Sequence, residues 1–272
     1  MAARRITAVR GTTMLQRTDR LASEEPMEIR AGGPGQEAGS VAVTMRTPGH
    51  DFELAAGFLF TEGLVTSRDE VASIAYCELP PQEQRFNVVT VRLTRPFDPG
   101  VLRRNFYATS SCGICGKASI DQVELRCAGL PEGPVVGHGT LLSLPASLRE
   151  AQRIFEQTGG LHAAGLFDPE GRLVSMREDV GRHNALDKLV GQALMEGELP
   201  LRDRVVLVSG RASFELVQKA AAAGVPILCA VSAPSSLAVE AADQVGMTVV
   251  GFLRDGGFNV YSRAERIAME GQ

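Results

Sequence analysis

The sequence predicts an α/β protein, α+β overall, in which a smaller β-rich N-terminal domain precedes a C-terminal α/β domain. Three observations carry this. The C-terminal third alternates short apolar runs with helical patterns: Val205–Val208, Ser213–Ala223, Pro226–Val231, Ser235–Gln244 and Met247–Leu253. Continuous apolar strands separated by helices imply parallel pairing, with the helices packed on the sheet. The N-terminal half instead offers β-branched strand segments broken by glycine and proline. Between the two, Pro131, Gly133, Pro134, Gly137 and Gly139 mark residues 129–140 as a loop, which divides the chain into 1–142 and 143–272.

Residues 1–20 are polar and weakly patterned, a frayed end or a first edge strand. Pro26–Arg30 and Val41–Arg46 read as strands around a loop opened by Gly32-Gly33-Pro34-Gly35. A helix is expected over Phe52–Glu62, with Asp51 as N-cap, Gly63 as terminator, and His50 in a capping or surface role. Two strands follow, Ala72–Leu79 and Asn87–Leu93, across the Pro80-Pro81 turn; Cys77 lies in the first and reads as a small buried hydrophobe. Pro145 is expected to open a helix that runs to Thr158 and stops at Gly159-Gly160, with Leu148, Ala151, Ile154 and Phe155 on one face. His162–Phe167 and Arg172–Met176 form a hairpin across Asp168-Pro169-Glu170-Gly171. The charged run Glu178–Lys188 then turns helical at Leu186, Leu189, Val190 and Ala193. Such a run is usually a solvated face, but crowding at one helix entry also suits a site. Cys229, mid-strand, is expected in the core.

Composition excludes several classes. The 272 residues are 44% hydrophobic, ample for a packed core, and carry a net charge of −4 with no long basic run. A nucleic-acid surface is therefore not expected, and the few aromatics weaken base stacking. No window reaches the roughly 18 consecutive apolar residues of a membrane span, and Met1-Ala2-Ala3-Arg4-Arg5 lacks the apolar run of a signal peptide. Five cysteines, an odd count without an export signal, suit a reduced cytoplasmic protein.

The chemistry-bearing stretch is Ser110-Ser111-Cys112-Gly113-Ile114-Cys115-Gly116-Lys117. Its two thiols are each followed by glycine, which removes bulk and lets a large partner approach. Lys117 and a following helix N-terminus both favour thiolate. Alone, the stretch leaves reactive sulfur and structural zinc open. A closed zinc site takes two close ligand pairs, whereas Cys127 and His138 are loosely spaced, so no structural metal is expected. Zinc deamination is excluded, because His162-Ala163-Ala164 lacks the glutamate and the Cys-x-x-Cys pair comes first, without proline. A thioredoxin-like role fits poorly behind the short polar segment Arg104–Ser111.

The three C-terminal strands end in Ser209-Gly210-Arg211, Ser232-Ala233-Pro234-Ser235-Ser236 and Arg254-Asp255-Gly256-Gly257. Parallel strands would bring these turns to one edge, where ligands bind outside strand carboxyl ends. Ser213 and Ser235 would start helices whose free N–H groups favour anions, and Arg211 and Arg254 can grip phosphate. The pattern suits a nucleotide-like diphosphate, without a dinucleotide or Walker fingerprint.

Ser111–Lys117, Thr158–Ala164, Glu178–Lys188, Ser209–Arg211 and Ser232–Pro234 resemble the FdhD/NarQ family of formate dehydrogenase accessory sulfurtransferases. The resemblance runs from about Pro26 to Tyr261. It implies a protein that takes persulfide sulfur from a cysteine desulfurase and passes it to the molybdenum of a bis(molybdopterin guanine dinucleotide) cofactor destined for formate dehydrogenase. Cys112 corresponds to the persulfide cysteine, with Cys115 as its partner. Phe252, Leu253, Arg254, Asp255, Gly256 and Gly257 correspond to the cofactor-binding stretch, where a GDP-like nucleotide could sit. It further implies a C-terminal three-layer α/β/α domain like the cytidine-deaminase fold, and a homodimer. Arg211, Arg182 and His183 are added candidates for holding phosphate or guanine. A cofactor-binding chaperone without sulfur transfer and a dithiol oxidoreductase are the alternatives.

Overall fold

The computed structural model describes residues 1–77, 84–98 and 129–269. Two sheets dominate the described residues. The N-terminal one is four-stranded, in the order β4 (Gly39–Arg46), β3 (Glu25–Gly32), β6 (Val88–Leu93), β5 (Val71–Tyr76). Only β3 and β6 run parallel. One face alternates Met27, Ile29 and Ala31 with Val89, Val91 and Leu93, and all six are buried against Leu54, Ala55 and Leu59 of α1 (Asp51–Thr61). Period-two apolar residues meeting a helical stripe is the packing such sequences dictate.

The C-terminal sheet is six-stranded, in the order β13 (Gly257–Ser262), β12 (Thr248–Arg254), β11 (Ile227–Ala230), β10 (Val205–Val208), β8 (His162–Phe167), β9 (Leu173–Asp179). β10, β11 and β12 are parallel, as their apolar runs require; β8 and β13 are antiparallel to their neighbours. One face packs on α4 (Arg182–Glu196), α5 (Phe214–Ala222) and α6 (Ser236–Val245). The other packs on α2 (His138–Ala151) through Leu141, Leu144 and Leu148, giving three layers. The short α3 (Arg153–Thr158) follows α2. A small parallel pair, β7 (Val136–Gly137) with β14 (Ile267–Ala268), ties the chain's end beside α2.

Several expectations need correcting. Residues 1–20 are not frayed: β1 (Ala2–Arg10) and β2 (Thr13–Leu21) pair as a separate antiparallel hairpin, in which both are edge strands. Asp51 does not cap α1. Its carboxylate accepts from Arg46 Nε (3.0 Å) and Nη2 (2.9 Å) and from the Tyr76 hydroxyl (3.1 Å), which leaves His50 at the cap in a left-handed conformation. Pro145 lies inside α2, which starts at His138, and the helix breaks at Gln152 instead of running on to Thr158. Cys77 falls just past β5 and is half-buried, while Cys229 lies in the core. Complete burial drives the Cys229 thiol pKa far up, so it stays protonated and inert.

The two sheets are joined through α1 and α4. The helices cross backbone to backbone: a Cβ on Gly57 would overlap the Asp187 carbonyl, and one on Gly191 would overlap the Glu53 carbonyl. Around this crossing lie buried charges. Asp179 accepts from Thr47 N (3.0 Å), Lys188 Nζ (2.7 Å), Gly181 N (2.8 Å) and Asn184 Nδ2 (3.1 Å). Lys188 also donates to Thr47 O at 2.8 Å, and Asn184 to Met45 O at 2.8 Å. Lys219 donates to Thr61, Glu62 and both Asp187 oxygens at 2.9–3.0 Å.

Candidate functional site

The charged run Glu178–Lys188 is mostly a joint. Asp179, Asn184, Asp187 and Lys188 spend their polar atoms on the fastening just described. Glu178 accepts from Ile154 N (3.1 Å) and Phe155 N (2.9 Å), holding the start of α3. Arg182 and His183 remain at the edge of the sheet. Thus the run is neither a solvated face nor wholly a binding motif; most of it positions two residues by fixing the helix that bears them.

The three turns do meet at one edge. Beyond β10, β11 continues alongside: Val231 N donates to Val208 O (3.1 Å), Ser232 N to Gly210 O (3.2 Å) and Ser235 N to Ala212 O (3.0 Å). Because β8 is antiparallel to β10, His162 begins and Asp179 of β9 ends on this same edge. Gly210 lies beside both His162 and Arg182: a Cβ there would sit 3.4 Å from His162 Nδ1 and 3.9 Å from Arg182 Cδ, ordinary contact distances. Burial, then the nearby Arg182 and His183 charges, hold the His162 pKa below its ordinary value and keep the ring neutral at pH 7. The Arg182 Nε is buried and has no hydrogen-bond partner among the described residues. His183 Nε2 pairs with Glu215 Oε2 at 2.8 Å and lies 3.3 Å from Ser213 Oγ, bridging the starts of α4 and α5. That hydrogen bond to His183 holds the Glu215 carboxyl below its usual range against the opposing effect of burial. Ser213 precedes α5 without a side-chain cap bond, and Ser235 caps α6 by accepting from Ala238 N at 3.2 Å.

The third turn is a hairpin, not a strand-to-helix connection. Arg254 pairs with Gly257 across Asp255 (φ 52°) and Gly256 (φ 76°), both left-handed as a two-residue hairpin demands. β12 pairs with β11 only over Thr248–Val250, so the hairpin overhangs the edge. Phe252, at φ 53°, breaks the strand's regularity there and donates its N–H to Ser232 O at 3.1 Å. Its ring lies 5.8 Å from the Arg254 guanidinium. Arg254, Asp255, Gly256 and Gly257 are exposed; Leu253 is buried, so it can offer a ligand only backbone. Left-handed φ at Phe252 and Asp255 is strain that functional sites often store.

Beside this edge a cavity of about 520 Å3 opens between α2–α3 and the ends of β8, β10 and β11, near Arg149, Gln152, Phe155, His162 and Ser209. That size suits a cofactor-sized ligand. Sequence reasoning placed Arg149 and Gln152 in an unbroken helix and missed the cavity. The signal was present: Leu148, Gln152 and Phe155 follow helical spacing, which sets an amide on an apolar face.

Cys112, Cys115, Lys117 and Cys127 lie outside the described residues. The chain on either side is anchored. Phe97 is buried and its N–H donates to Gln36 Oε1 at 2.7 Å. Leu130 N donates to Val245 O at 2.7 Å, at the amino edge of the C-terminal sheet, across the strands from the arginine-bearing edge. Among the described residues, no three His, Cys, Asp or Glu converge as metal ligands, and no helix is long and apolar enough to cross a membrane.

The chain is an α/β protein whose mixed sheet carries arginines and helix starts outside its parallel strand ends, an arrangement of the kind that favours anions. Residues 22–268 match the model of the FdhD/NarQ family, and the chain belongs to that family. It is 53% identical to a sulfur carrier protein FdhD of Streptomyces avermitilis, covering 98% of this chain and 95% of that one. It is 50% identical to a namesake from Mycolicibacterium paratuberculosis, covering 97% of each. A crystal structure assigned to a formate dehydrogenase accessory protein of Desulfotalea psychrophila shares the fold, with TM-score 0.75 at 24% identity over 98% of this chain and 99% of that one.

Proposed function

We propose that this chain is a sulfur carrier. In this reading Cys112 accepts sulfane sulfur from a cysteine desulfurase as a persulfide and delivers it to the molybdenum of bis(molybdopterin guanine dinucleotide), its substrate, for use in formate dehydrogenase. The observation that carries the reading is the edge: Arg182, Arg211 and Arg254 gather with the starts of α4, α5 and α6 beside a cavity, as a diphosphate-bearing ligand requires. The naming of relatives as sulfur carriers adds the cargo. Arg254 and the backbone of Asp255-Gly256-Gly257 hold the phosphates, Arg211 and Arg182 add charge, and a homodimer is the working assembly.

The chemistry balances with two thiols. The Cys112 thiolate attacks the outer sulfur of the desulfurase persulfide, and the desulfurase thiolate leaves. Attack by the Cys115 thiolate on the Cys112 sulfur then expels the outer sulfur as hydrosulfide. A Cys112–Cys115 disulfide remains; the two thiols have supplied two electrons, and a cellular dithiol restores them.

Incubation with a cysteine desulfurase and cysteine, followed by intact mass, tests the reading. The expected result is a gain of one sulfur atom, retained in Cys115→Ala and lost in Cys112→Ala. No gain in the unaltered protein would leave a cofactor-binding chaperone, and rapid reduction of a generic disulfide would favour an oxidoreductase.

A further inference from the structure

The β1–β2 hairpin stands apart from the buried cores: among the described residues, none before Met27 belongs to them. Its two strands are exposed throughout except at Ile6, Ala8 and Asp19, which are half-buried. It is fastened near its base, where Arg20 Nη1 donates to Gln157 Oε1 of α3 at 2.8 Å. Nine residues in each strand make an arm about 30 Å long. A two-stranded hairpin is marginal in water by itself, and both of these strands keep an unpaired backbone edge. At the free end Val9 faces Met14 and Ala8 faces Leu15; Val9, Met14 and Leu15 are 60%, 74% and 55% exposed. The arm is also strongly basic. Residues 1–21 hold Arg4, Arg5, Arg10, Arg17 and Arg20 against Asp19, a net charge of +4. The whole chain carries −4, so the remainder carries −8. The hairpin lies outside residues 22–268, which match the family model, so the shared family sequence does not prescribe its partner.

Resting on the homodimer of the sulfur-carrier reading, we propose that this hairpin is an arm that docks on the body of a second copy of the chain. Charge selects the occupant. An arm of +4 laid on a body of −8 is attracted, whereas arm against arm would set like charges side by side. An anionic lipid surface would attract the arm but repel the rest of the molecule. Val9, Met14 and Leu15 supply the apolar anchors, and Arg10 and Arg17 the polar rim, which is the usual composition of a protein interface. Two-fold symmetry makes the exchange reciprocal, so each copy gives one arm and receives one. Docking then provides the burial that the hairpin lacks in a single chain.

Sedimentation equilibrium of the full chain across a range of concentrations tests this. The unaltered protein should dimerise, and added salt should weaken the dimer. Val9→Asp/Met14→Asp should raise the dimer dissociation constant by about tenfold or more, the scale of losing an anchoring side chain. Arg10→Glu/Arg17→Glu, which brings the arm to zero net charge, should do the same, and Arg10→Lys/Arg17→Lys should keep the dimer. Both weakened variants should retain the thermal midpoint of the unaltered monomer, because the altered positions are exposed. A dimer equally tight in both weakened variants overturns the inference and spares the homodimer. A monomeric unaltered protein overturns both. Binding of the unaltered protein to phosphatidylserine vesicles, lost in Val9→Asp/Met14→Asp while the dimer persists, overturns the inference in favour of a lipid surface.

Discussion

Gly191→Ala should destabilise the protein by about 3–5 kcal/mol, and Gly191→Val should prevent folding. The reason is geometric. At the α1–α4 crossing the Gly191 Cα faces the Glu53 carbonyl, and Gly57 faces that of Asp187. A methyl group at either position cannot be absorbed by a side-chain movement, because its neighbour is helix backbone. The helices would have to part, and with them the buried contacts that join the two sheets. Since folded domains typically have about 5–15 kcal/mol in hand, such a loss is large. Urea unfolding of Gly191→Ala and Gly57→Ala measures it. A change below about 1 kcal/mol in both would show that the crossing is more yielding than its geometry implies.

Lys219→Met should cost about 3–5 kcal/mol, the range for stranding a buried charge. Asp187 and Lys219 are both buried, and the variant leaves the Asp187 carboxylate with Thr61 alone. The double variant Asp187→Leu/Lys219→Met should recover most of the loss, since a well-packed apolar pair replaces an ion pair at little net cost. The pH dependence has a definite sign. Burial lowers the Lys219 pKa, but Asp187 and Glu62 outweigh it and raise the folded value above 10.5. A group raised on folding contributes fully below its unfolded pKa and loses that contribution as pH rises through the folded one. The gap between the unaltered protein and Lys219→Met should therefore be full between the range where Asp187, raised by burial, titrates and pH 10.5, and narrow on the alkaline side of that window. A gap that instead widens with alkali would contradict the pairing.

The parts legible in the sequence are those whose signal is local. Val205–Val208 and its parallel neighbours announce themselves by continuous apolar runs, and the three turns at their ends follow from parallelism. Less was readable where a residue's role is fixed by distant chain. Asp51 has the spacing of a cap but is claimed by Arg46 and Tyr76. Glu178–Lys188 looks like a surface or a site because spacing does not reveal that Met45 on β4, Thr47 just past it and Thr61 on α1 wait to accept or donate. Pro145 was misplaced because proline favours a first turn, whereas α2 tolerates it mid-helix and breaks later, at Gln152. The β1–β2 hairpin, exposed on both faces, has no apolar alternation to betray it. The arginine edge was half visible: Arg211 and Arg254 followed from the strand ends, while the cavity depended on a helix break that composition does not show.

The claim at the centre is that one chain both carries sulfur and docks its molybdenum acceptor by the nucleotide arms. Protein loaded with isotopically labelled sulfur, mixed once with bis(molybdopterin guanine dinucleotide) and separated, measures this directly. The account predicts label on the cofactor, little transfer from Arg254→Ala at limiting cofactor, and none from Cys112→Ala. Label that stays on the protein, or that reaches the cofactor equally well without Arg254, would contradict it.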